Sequence, residues 1–189
     1  MPLTLNDRQQ ELLDGLVALF VAEGFRQFTL GDLTVRLHCS KSTLYALGES
    51  KEQLVGNAVV HFFRTATAEV ERRTALEDEP AARIQAYLTA VADALRPASA
   101  AFIEDIAAHP AARQAYARNT RIAARRVREL IDEGVSSGAF RAVHAAFVAD
   151  TVASTMTRIQ SGDVQRATGL RDAEAYEELA ALVLRGVRS

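Results

Sequence analysis

The stretch from Thr29 to Gln53 constrains the fold of this chain most, because it contains three helix-start signals in close succession. Thr29 with Asp32, then Ser40, then Ser50 with Gln53 each place a side-chain oxygen where it can accept a free N–H group of a helix's first turn. Leucines at helical spacing follow the first two starts, at Leu30, Leu33, Leu37, Leu44 and Leu47. The pattern predicts two short helices followed by the start of a third.

A turn of three or four residues joins the two short helices, which is the geometry of a helix-turn-helix. The second helix of this motif enters the DNA major groove. Its first turns here carry basic or hydroxyl side chains suited to phosphates and base edges. An ammonium at the start of the following helix can meet a phosphate beside the free N–H groups. The candidate DNA-binding residues are Thr29, Ser40, Lys41, Ser42, Thr43, Tyr45 and Lys51.

Three short motifs resemble the N-terminal signature of the tetracycline-repressor-type (TetR) family: residues 28–30 (Phe-Thr-Leu), 40–45 (Ser-Lys-Ser-Thr-Leu-Tyr) and 50–54 (Ser-Lys-Glu-Gln-Leu). The resemblance covers roughly residues 6 to 64. The chain departs from the family in the turn, where Leu37-His38-Cys39 stands in place of Ala-Gly-Val. It also departs at Thr34, where a small Ala is common, at Ser42, where Gly is usual, and at Leu47-Gly48, where an aromatic is usual.

Composition limits where DNA could bind. The chain has 189 residues, a net charge of −2 and a sequence pI near 6.1, so any affinity for DNA must come from a local basic patch. Among 22 basic residues the lysines are Lys41 and Lys51, both inside the motif. The single cysteine, Cys39, excludes an intrachain disulfide and favours a reducing compartment. With no secretory signal and no apolar run long enough to span a bilayer, we expect a cytoplasmic protein that does not enter a membrane.

The rest of the chain shows helical periodicity throughout and no strand-length alternation. We predict an all-α fold of about nine helices. Residues 1–49 form a three-helix DNA-binding domain, whose first helix is capped by Asn6 or Asp7, reaches about Glu23 and stops at Gly24. Residues 50–189 form a larger helical ligand-binding and dimerisation domain, with the fourth helix (50–76) as its connector. The later helices are predicted from Pro80 to before Pro97, through Phe102 to a stop at His109-Pro110, and then over about 111–136, 143–160 and 172–188. Asp172 is predicted to cap the last helix, and residues 161–171 before it are predicted to be polar and irregular. In the turn of the helix-turn-helix, His38 is predicted in a left-handed conformation.

The family resemblance implies an effector cavity in the helices after the fourth, able to take a small and mostly apolar molecule. Aromatic residues would line it, and a few polar groups at otherwise inward positions would orient the ligand. The candidate effector-binding residues are Phe62, Phe63, Tyr87, Phe102, Tyr116, Thr120, Thr155, Met156 and Gln160. The alternative is that these residues are ordinary core.

The last two long helices are rich in alanine and carry apolar residues on several faces, which resembles the family's four-helix dimer interface. The candidate interface residues are Ala149, Val152, Ala153, Leu179, Leu182 and Val183. Packing of the same helices within one chain is the alternative. We favour a homodimer, because one intrachain contact would not bury all of these faces.

No motif for catalysis or metal binding accompanies these features. The four histidines are scattered without ligand spacing, and no phosphate loop, nucleophile elbow or His-Glu-x-x-His pattern is present. We therefore predict no enzymatic activity, no metal and no cofactor.

These observations predict a dimeric regulator that binds a double-stranded, palindromic operator. The resemblance implies that it is a repressor released by a small-molecule effector. The rival hypothesis is a helical small-molecule-binding or scaffold protein whose helix-turn-helix no longer reads DNA.

Overall fold

The computed structural model describes residues 6–141 and 143–187, and this part of the chain contains ten α-helices and no strand. The predicted all-α fold is confirmed. In chain order the helices are α1 (Asp7–Glu23), α2 (Leu30–Arg36), α3 (Lys41–Tyr45), α4 (Lys51–Thr74), α5 (Pro80–Leu95), α6 (Ala100–Ala108), α7 (Pro110–Ser136), α8 (Ala145–Gln160), α9 (Asp163–Thr168) and α10 (Asp172–Val187).

Side-chain caps begin the first three helices as the sequence predicts. Asn6 and Thr29 each complete a capping box with the side chain three residues further on. Ser40 Oγ accepts the N–H of Thr43 at 3.1 Å. Gly24 ends α1 with φ 78°, a conformation that glycine adopts without a Cβ penalty.

The start of α4 follows the prediction in part. The N–H of Gln53 donates to Ser50 Oγ at 3.2 Å, so Ser50 is the cap. The side chain of Gln53 accepts the N–H of Glu49 at 2.8 Å. The reciprocal bond therefore reaches one residue before the predicted partner, and it fixes the end of the α3–α4 turn as well.

Two predictions for the C-terminal part were wrong. The segment 161–171 is not irregular throughout, because it contains α9, six residues flanked by Gly162 at φ 75° and Gly169 at φ 79°. A helix this short is too brief to show apolar periodicity in the sequence. Asp172 is the first residue of α10 rather than its cap, and Glu174 accepts the N–H of Arg171, the residue before the helix.

The described chain divides into two packed units. The first contains the residues up to Arg64 together with Pro97–Tyr116, and the second contains Thr65–Arg96 with the described residues from Ala117 onward. Helices α4 and α7 contribute residues to both. The boundary predicted at residue 50 separates a DNA-binding domain from a ligand-binding and dimerisation domain. It divides the chain by role rather than by packing, and it remains a prediction.

The first unit has one continuous apolar core that joins α1, α2, α3, α4 and α6. Three phenylalanine rings pack together within this core. Phe25 lies 5.5 Å from Phe20 and 6.3 Å from Phe102, measured between ring centroids. These separations are typical of favourable aromatic pairs. The short helices α2 and α3 are thus attached to a core that the longer helices build.

In the second unit, α10 packs along α5 and also contacts α8 and α9. Tyr87 and Tyr176 are both buried there, and this burial raises the pKa of each phenol. Near the end of α7 the ring of Phe140 folds back onto the helix, so closely that a Cβ on Gly134 would lie 2.1 Å from it. That contact explains why the buried helical position 134 is a glycine.

Candidate nucleic-acid interface

The first turn of α3 presents three hydroxyl groups around its cap. Ser40 Oγ lies 2.8 Å from both Ser42 Oγ and Thr43 Oγ1. Ser40, Lys41 and Ser42 are exposed, and Thr43 is half-buried. The structure therefore brings these four predicted residues together at one end of α3. Since a hydroxyl both donates and accepts, an arriving phosphate or base edge can replace these mutual bonds without leaving a group unpaired.

The helix that carries this cluster is held from its inner side. Leu44 and Leu47 are buried against Leu33 of α2 in the core of the first unit. At the other end of α3, Asn57 Nδ2 donates to the carbonyl oxygen of Leu47 at 2.7 Å. A five-residue helix is not stable alone, so these contacts keep it formed. Asn57 was not predicted, and its only signal is an amide among the apolar residues of α4.

Gly48 allows α4 to approach α3 closely. A Cβ at this position would lie 2.8 Å from the backbone nitrogen of Leu54 and 3.1 Å from the carbonyl carbon of Gln53. The departure from the family at residue 48 therefore has a steric cause in this chain. Any side chain there would push α4 away from α3.

The turn between α2 and α3 has the predicted left-handed residue. His38 has φ 49°, which confirms that prediction. The next N–H, of Cys39, donates to the carbonyl oxygen of Thr34 at 3.1 Å and closes the end of α2. Burial raises the pKa of the Cys39 thiol, which therefore stays protonated at neutral pH.

Thr29 and Tyr45 occupy the two flanks of the motif. The Thr29 hydroxyl donates to Asp32 Oδ2 at 2.7 Å, and the Thr29 N–H donates to the same oxygen at 2.8 Å. These bonds lower the pKa of Asp32. Tyr45 lies at the end of α3 with 44% of its surface exposed, which leaves its ring accessible to a ligand.

Few cations at this end of the molecule are free of protein partners. Arg36 pairs with Glu23, which lowers the pKa of that carboxyl group. Lys51 Nζ donates to the carbonyl oxygen of Arg26 at 2.9 Å, a bond that sequence reasoning did not anticipate. Lys41 is exposed, and no carboxylate of the described residues forms an ion pair with it. A cation attached to the first turn of α3 is thus the one best placed to meet a phosphate.

Solved structures resemble this chain over nearly its whole length. Neither a protein-family model nor a curated protein sequence matches the chain. The TetR-family regulator PfmR from Thermus thermophilus superposes with a TM-score of 0.62 at 22% identity, over 92% of this chain and 97% of its own. A TetR/AcrR-family regulator from Thermobifida fusca gives a TM-score of 0.67 at 20% identity, over 97% and 100%. A TetR-family regulator from Cytophaga hutchinsonii gives 0.70 at 17% identity, over 96% and 94%.

The chain has the TetR-type fold. Because the superpositions cover nearly the whole of each chain, the likeness includes the helices after the helix-turn-helix. The resemblance of the N-terminal motifs is confirmed at the level of the fold.

The structure divides the nine candidate effector residues of this TetR-type chain between the two units. Four lie in the first unit and form a connected aromatic cluster. Phe62 lies 5.1 Å from Phe63 and 5.6 Å from Phe102, while Phe63 stacks on Tyr116 at 4.9 Å, all between ring centroids. Such contacts are what either a cavity wall or an ordinary core would show.

The other five candidates lie in the second unit, and one of them has an unusual environment. Thr120 is 3% exposed, and its hydroxyl oxygen has no hydrogen-bond partner among the described residues. An unsatisfied buried hydroxyl costs stability and needs an explanation. Tyr87 and Met156 are buried, whereas Thr155 and Gln160 are half-buried.

Most of the candidate interface residues are covered within a single chain. Ala149, Val152, Leu179 and Val183 are all less than 9% exposed, so the intrachain packing that we kept as the alternative accounts for them. Leu182 is 69% exposed, and Ala153 is half-buried. Leu182 borders an apolar groove of about 270 Å³ formed by α8, α9 and α10, which Thr155 and Ile159 also line. Most of the predicted interface residues are therefore covered within the chain. The apolar surface that stays exposed, around Leu182, is formed mainly by other residues.

The described residues contain neither a cluster of metal-binding side chains nor a membrane-spanning helix. Within residues 6–141 and 143–187, His, Cys, Asp and Glu side chains form no group of three that could hold a metal ion. Among the described helices none has both the length and the apolar character that a membrane span requires.

Proposed function

We propose that this protein is a homodimeric transcriptional regulator that binds double-stranded DNA with α3 and is released from its operator by a small molecule. One observation carries the proposal. The first turn of α3, with Lys41, Ser42 and Thr43, lies on the outside of a TetR-type fold, while buried leucines hold the helix against the core. Rigid support from below and hydrogen-bonding groups on the outside are what major-groove reading needs.

Each side chain has a proposed role at the DNA. Thr43 offers a hydroxyl and a methyl group to a base edge, while Lys41 and Ser42 contact phosphates or bases from the first turn. Lys51 contacts a phosphate with the donors that its bond to Arg26 leaves free, since an ammonium has three. Two recognition helices in a dimer read half-sites about 34–36 Å apart, which implies a palindromic operator.

The decisive experiment measures binding to DNA that the protein selects from random sequences, and to scrambled DNA, at several salt concentrations. Lys41→Ala should weaken binding to both and reduce the magnitude of the salt slope by about 1 per contact removed. Thr43→Ala should leave the slope unchanged and relax base preference at one position, costing about 1 kcal/mol per half-site.

Arg125→Ala is the control for charge, because Arg125 is an exposed arginine of the second unit. Its binding curves should match those of the wild type. If the wild-type protein bound scrambled DNA as tightly as selected DNA, the rival hypothesis of a scaffold or small-molecule-binding protein would be the better one.

The effector part of the proposal is supported by Thr120. A buried hydroxyl without a partner can be satisfied by a ligand that brings one hydrogen-bonding group into mostly apolar surroundings. Such a ligand would favour a state that no longer fits the operator, and a coupling of about 1–3 kcal/mol is enough for regulation. By the same linkage, operator DNA would weaken the binding of the effector.

Thr120→Val tests this role. Removing the unsatisfied hydroxyl should stabilise the free protein by about 1 kcal/mol in thermal unfolding. Small apolar compounds with a single hydrogen-bonding group should then raise the melting temperature of the wild type more than that of the variant. A variant less stable than the wild type would mean that Thr120 already has a partner in the free protein.

The same proposal includes the cellular setting. A protein that reads chromosomal DNA and whose single cysteine is a free thiol fits the reducing cytoplasm. We propose neither an enzymatic activity nor a membrane partner. Whether the regulated genes are repressed or activated depends on where the operator lies relative to their promoters.

A further inference from the structure

Asp105 of α6 makes a contact that the proposed function does not yet use. Its side chain is almost fully buried, and its Oδ2 accepts the backbone N–H of Phe25 at 2.6 Å and that of Arg26 at 2.8 Å. The other oxygen lies 3.8 Å from Arg26 Nε. These two N–H groups follow the end of α1 and have no helical partner of their own. A carboxylate that accepts two backbone N–H groups is a strong anchor.

Asp105 lies in the segment where the later part of the chain returns to the first unit. Residues 97–116 belong to the first unit, although the residues before and after them belong to the second. Among the described residues beyond Arg64, this segment is therefore the part that shares a packed unit with the helix-turn-helix. Within this unit, the bonds of Asp105 link α6 to the residues that lead into α2.

A second bond and a close approach join α6 to the end of α1 at the same place. The N–H of Ser99, the cap of α6, donates to the carbonyl oxygen of Val21 at 2.9 Å. Gly24 has no room for a side chain, because a Cβ there would lie 2.7 Å from Asp105 Oδ2 and 3.1 Å from Ala101 Cβ. The glycine thus serves two needs, a positive φ and the approach of the carboxylate.

The anchored peptide leads directly into the DNA-reading helices. Arg26 is followed after two residues by Thr29, the cap of α2. Lys51 Nζ of α4 donates to the carbonyl oxygen of Arg26. Residues 25 and 26 are therefore held by α6 through their N–H groups and by α4 through the carbonyl group of Arg26. Because these backbone groups are fixed, the chain has little freedom in how it starts α2.

We infer that Asp105 is a positioning residue for DNA reading, and that its carboxylate fixes the path of residues 25–29 and hence the orientation of α2 and α3. This inference rests on the proposed function for its effect on DNA affinity. Its structural part concerns the free protein and can be measured without DNA. A side chain that kept an oxygen acceptor at the same place should preserve most of the effect, whereas one that removed it should not.

The test compares Asp105→Asn with Asp105→Leu in the full chain. Asn keeps an oxygen that can accept both N–H groups, while Leu has a similar shape and no acceptor. In Asp105→Leu the amides of Phe25 and Arg26 should exchange with solvent at least tenfold faster. Affinity for selected DNA should fall at least tenfold, and affinity for scrambled DNA at low salt should change less than threefold. Asp105→Asn should stay within threefold of the wild type in all three measurements.

Ile106→Val is the matched control, because Ile106 is the next residue of α6 and is buried in the same core. It should lower the melting temperature slightly without changing the exchange of either amide or the preference for selected DNA. If Asp105→Leu does not fold, Asp105→Ser replaces it, since its hydroxyl is too short to reach both N–H groups.

The outcomes separate the two proposals. A folded Leu or Ser variant with wild-type exchange at Phe25 and Arg26, or with wild-type affinity for selected DNA, would overturn the role of Asp105. If the wild-type protein did not prefer selected DNA, the proposed function would fail. In that case the exchange measurements alone would decide whether Asp105 holds the start of α2.

Discussion

Helices α2 and α3 have seven and five residues, and each begins with a side-chain cap, whereas α8 and α10 have sixteen residues each and depend on packing along their length. The α8 start has only a 3.3 Å bond from the Phe147 N–H to His144 Nδ1. In α10 the buried residues recur from Asp172 to Leu184, and the helix packs against α5, α8 and α9. The two pairs of helices are thus stabilised by different interactions.

The two pairs of helices are therefore expected to tolerate different substitutions. A short capped helix keeps its position only while its first turn and its few buried leucines are intact, so polar changes there should have sizeable local effects. A long packed helix tolerates loss of a cap but not loss of fit along its buried face. Its exposed face is a separate matter, because the apolar residues left there can be covered only by another molecule.

The largest expected effect is on the exposed face of the C-terminal helices. Leu182→Glu should convert dimers to monomers, because it places a charge on the apolar surface that we propose as the interface. Leu76→Glu is the matched control, since Leu76 is 70% exposed and Leu182 is 69% exposed in the single chain. Light scattering coupled to size-exclusion chromatography measures both. A Leu182→Glu protein that remained dimeric would place the interface elsewhere.

The next effect concerns fit within a long helix. Gly134→Ala should lower the free energy of unfolding by about 1–3 kcal/mol, because the added Cβ meets the ring of Phe140. Gly186→Ala is the control in α10, where a Cβ would meet nothing within 4 Å. There alanine's higher helix propensity should raise stability by up to about 1 kcal/mol. Denaturant unfolding of both variants gives the comparison, and equal effects would contradict the importance of the Phe140 contact.

A smaller effect is expected from the cap of α3. Ser40→Ala removes the acceptor for the Thr43 N–H and should cost about 1 kcal/mol of stability. Ser42→Ala is the control, because its hydroxyl joins the same cluster without capping the helix. Its stability should stay within about 0.5 kcal/mol of the wild type. A Ser40→Ala protein as stable as the wild type would show that the buried leucines alone hold α3.

The smallest effect is expected in the turn. His38→Gly relieves the Cβ penalty at φ 49° but adds freedom to the unfolded chain, so the two contributions oppose each other. The net change should be neutral or slightly stabilising, within about 1 kcal/mol. Thermal unfolding of the variant and the wild type measures it. A loss well above this size would mean that the His38 side chain makes a stabilising contact.

Features that depend on neighbours three or four residues away could be predicted from the amino-acid sequence. The caps at Asn6, Thr29 and Ser40, the stop at Gly24 and the left-handed His38 were all predicted, because each is a bond or steric limit within one turn of chain. The helical periodicity of the longer segments likewise predicted the all-α fold.

Contacts between residues far apart in the sequence could not be predicted, because they depend on how the helices pack. The carboxylate of Asp105 meets the N–H of Phe25 across 80 residues of chain, and no local pattern marks either group. The tertiary structure also decided that α10 buries Val183 and leaves its neighbour Leu182 exposed. Both are apolar and adjacent in sequence, and their fates differ because successive helical residues point about 100° apart, so the position of the packing partner decides which one is covered.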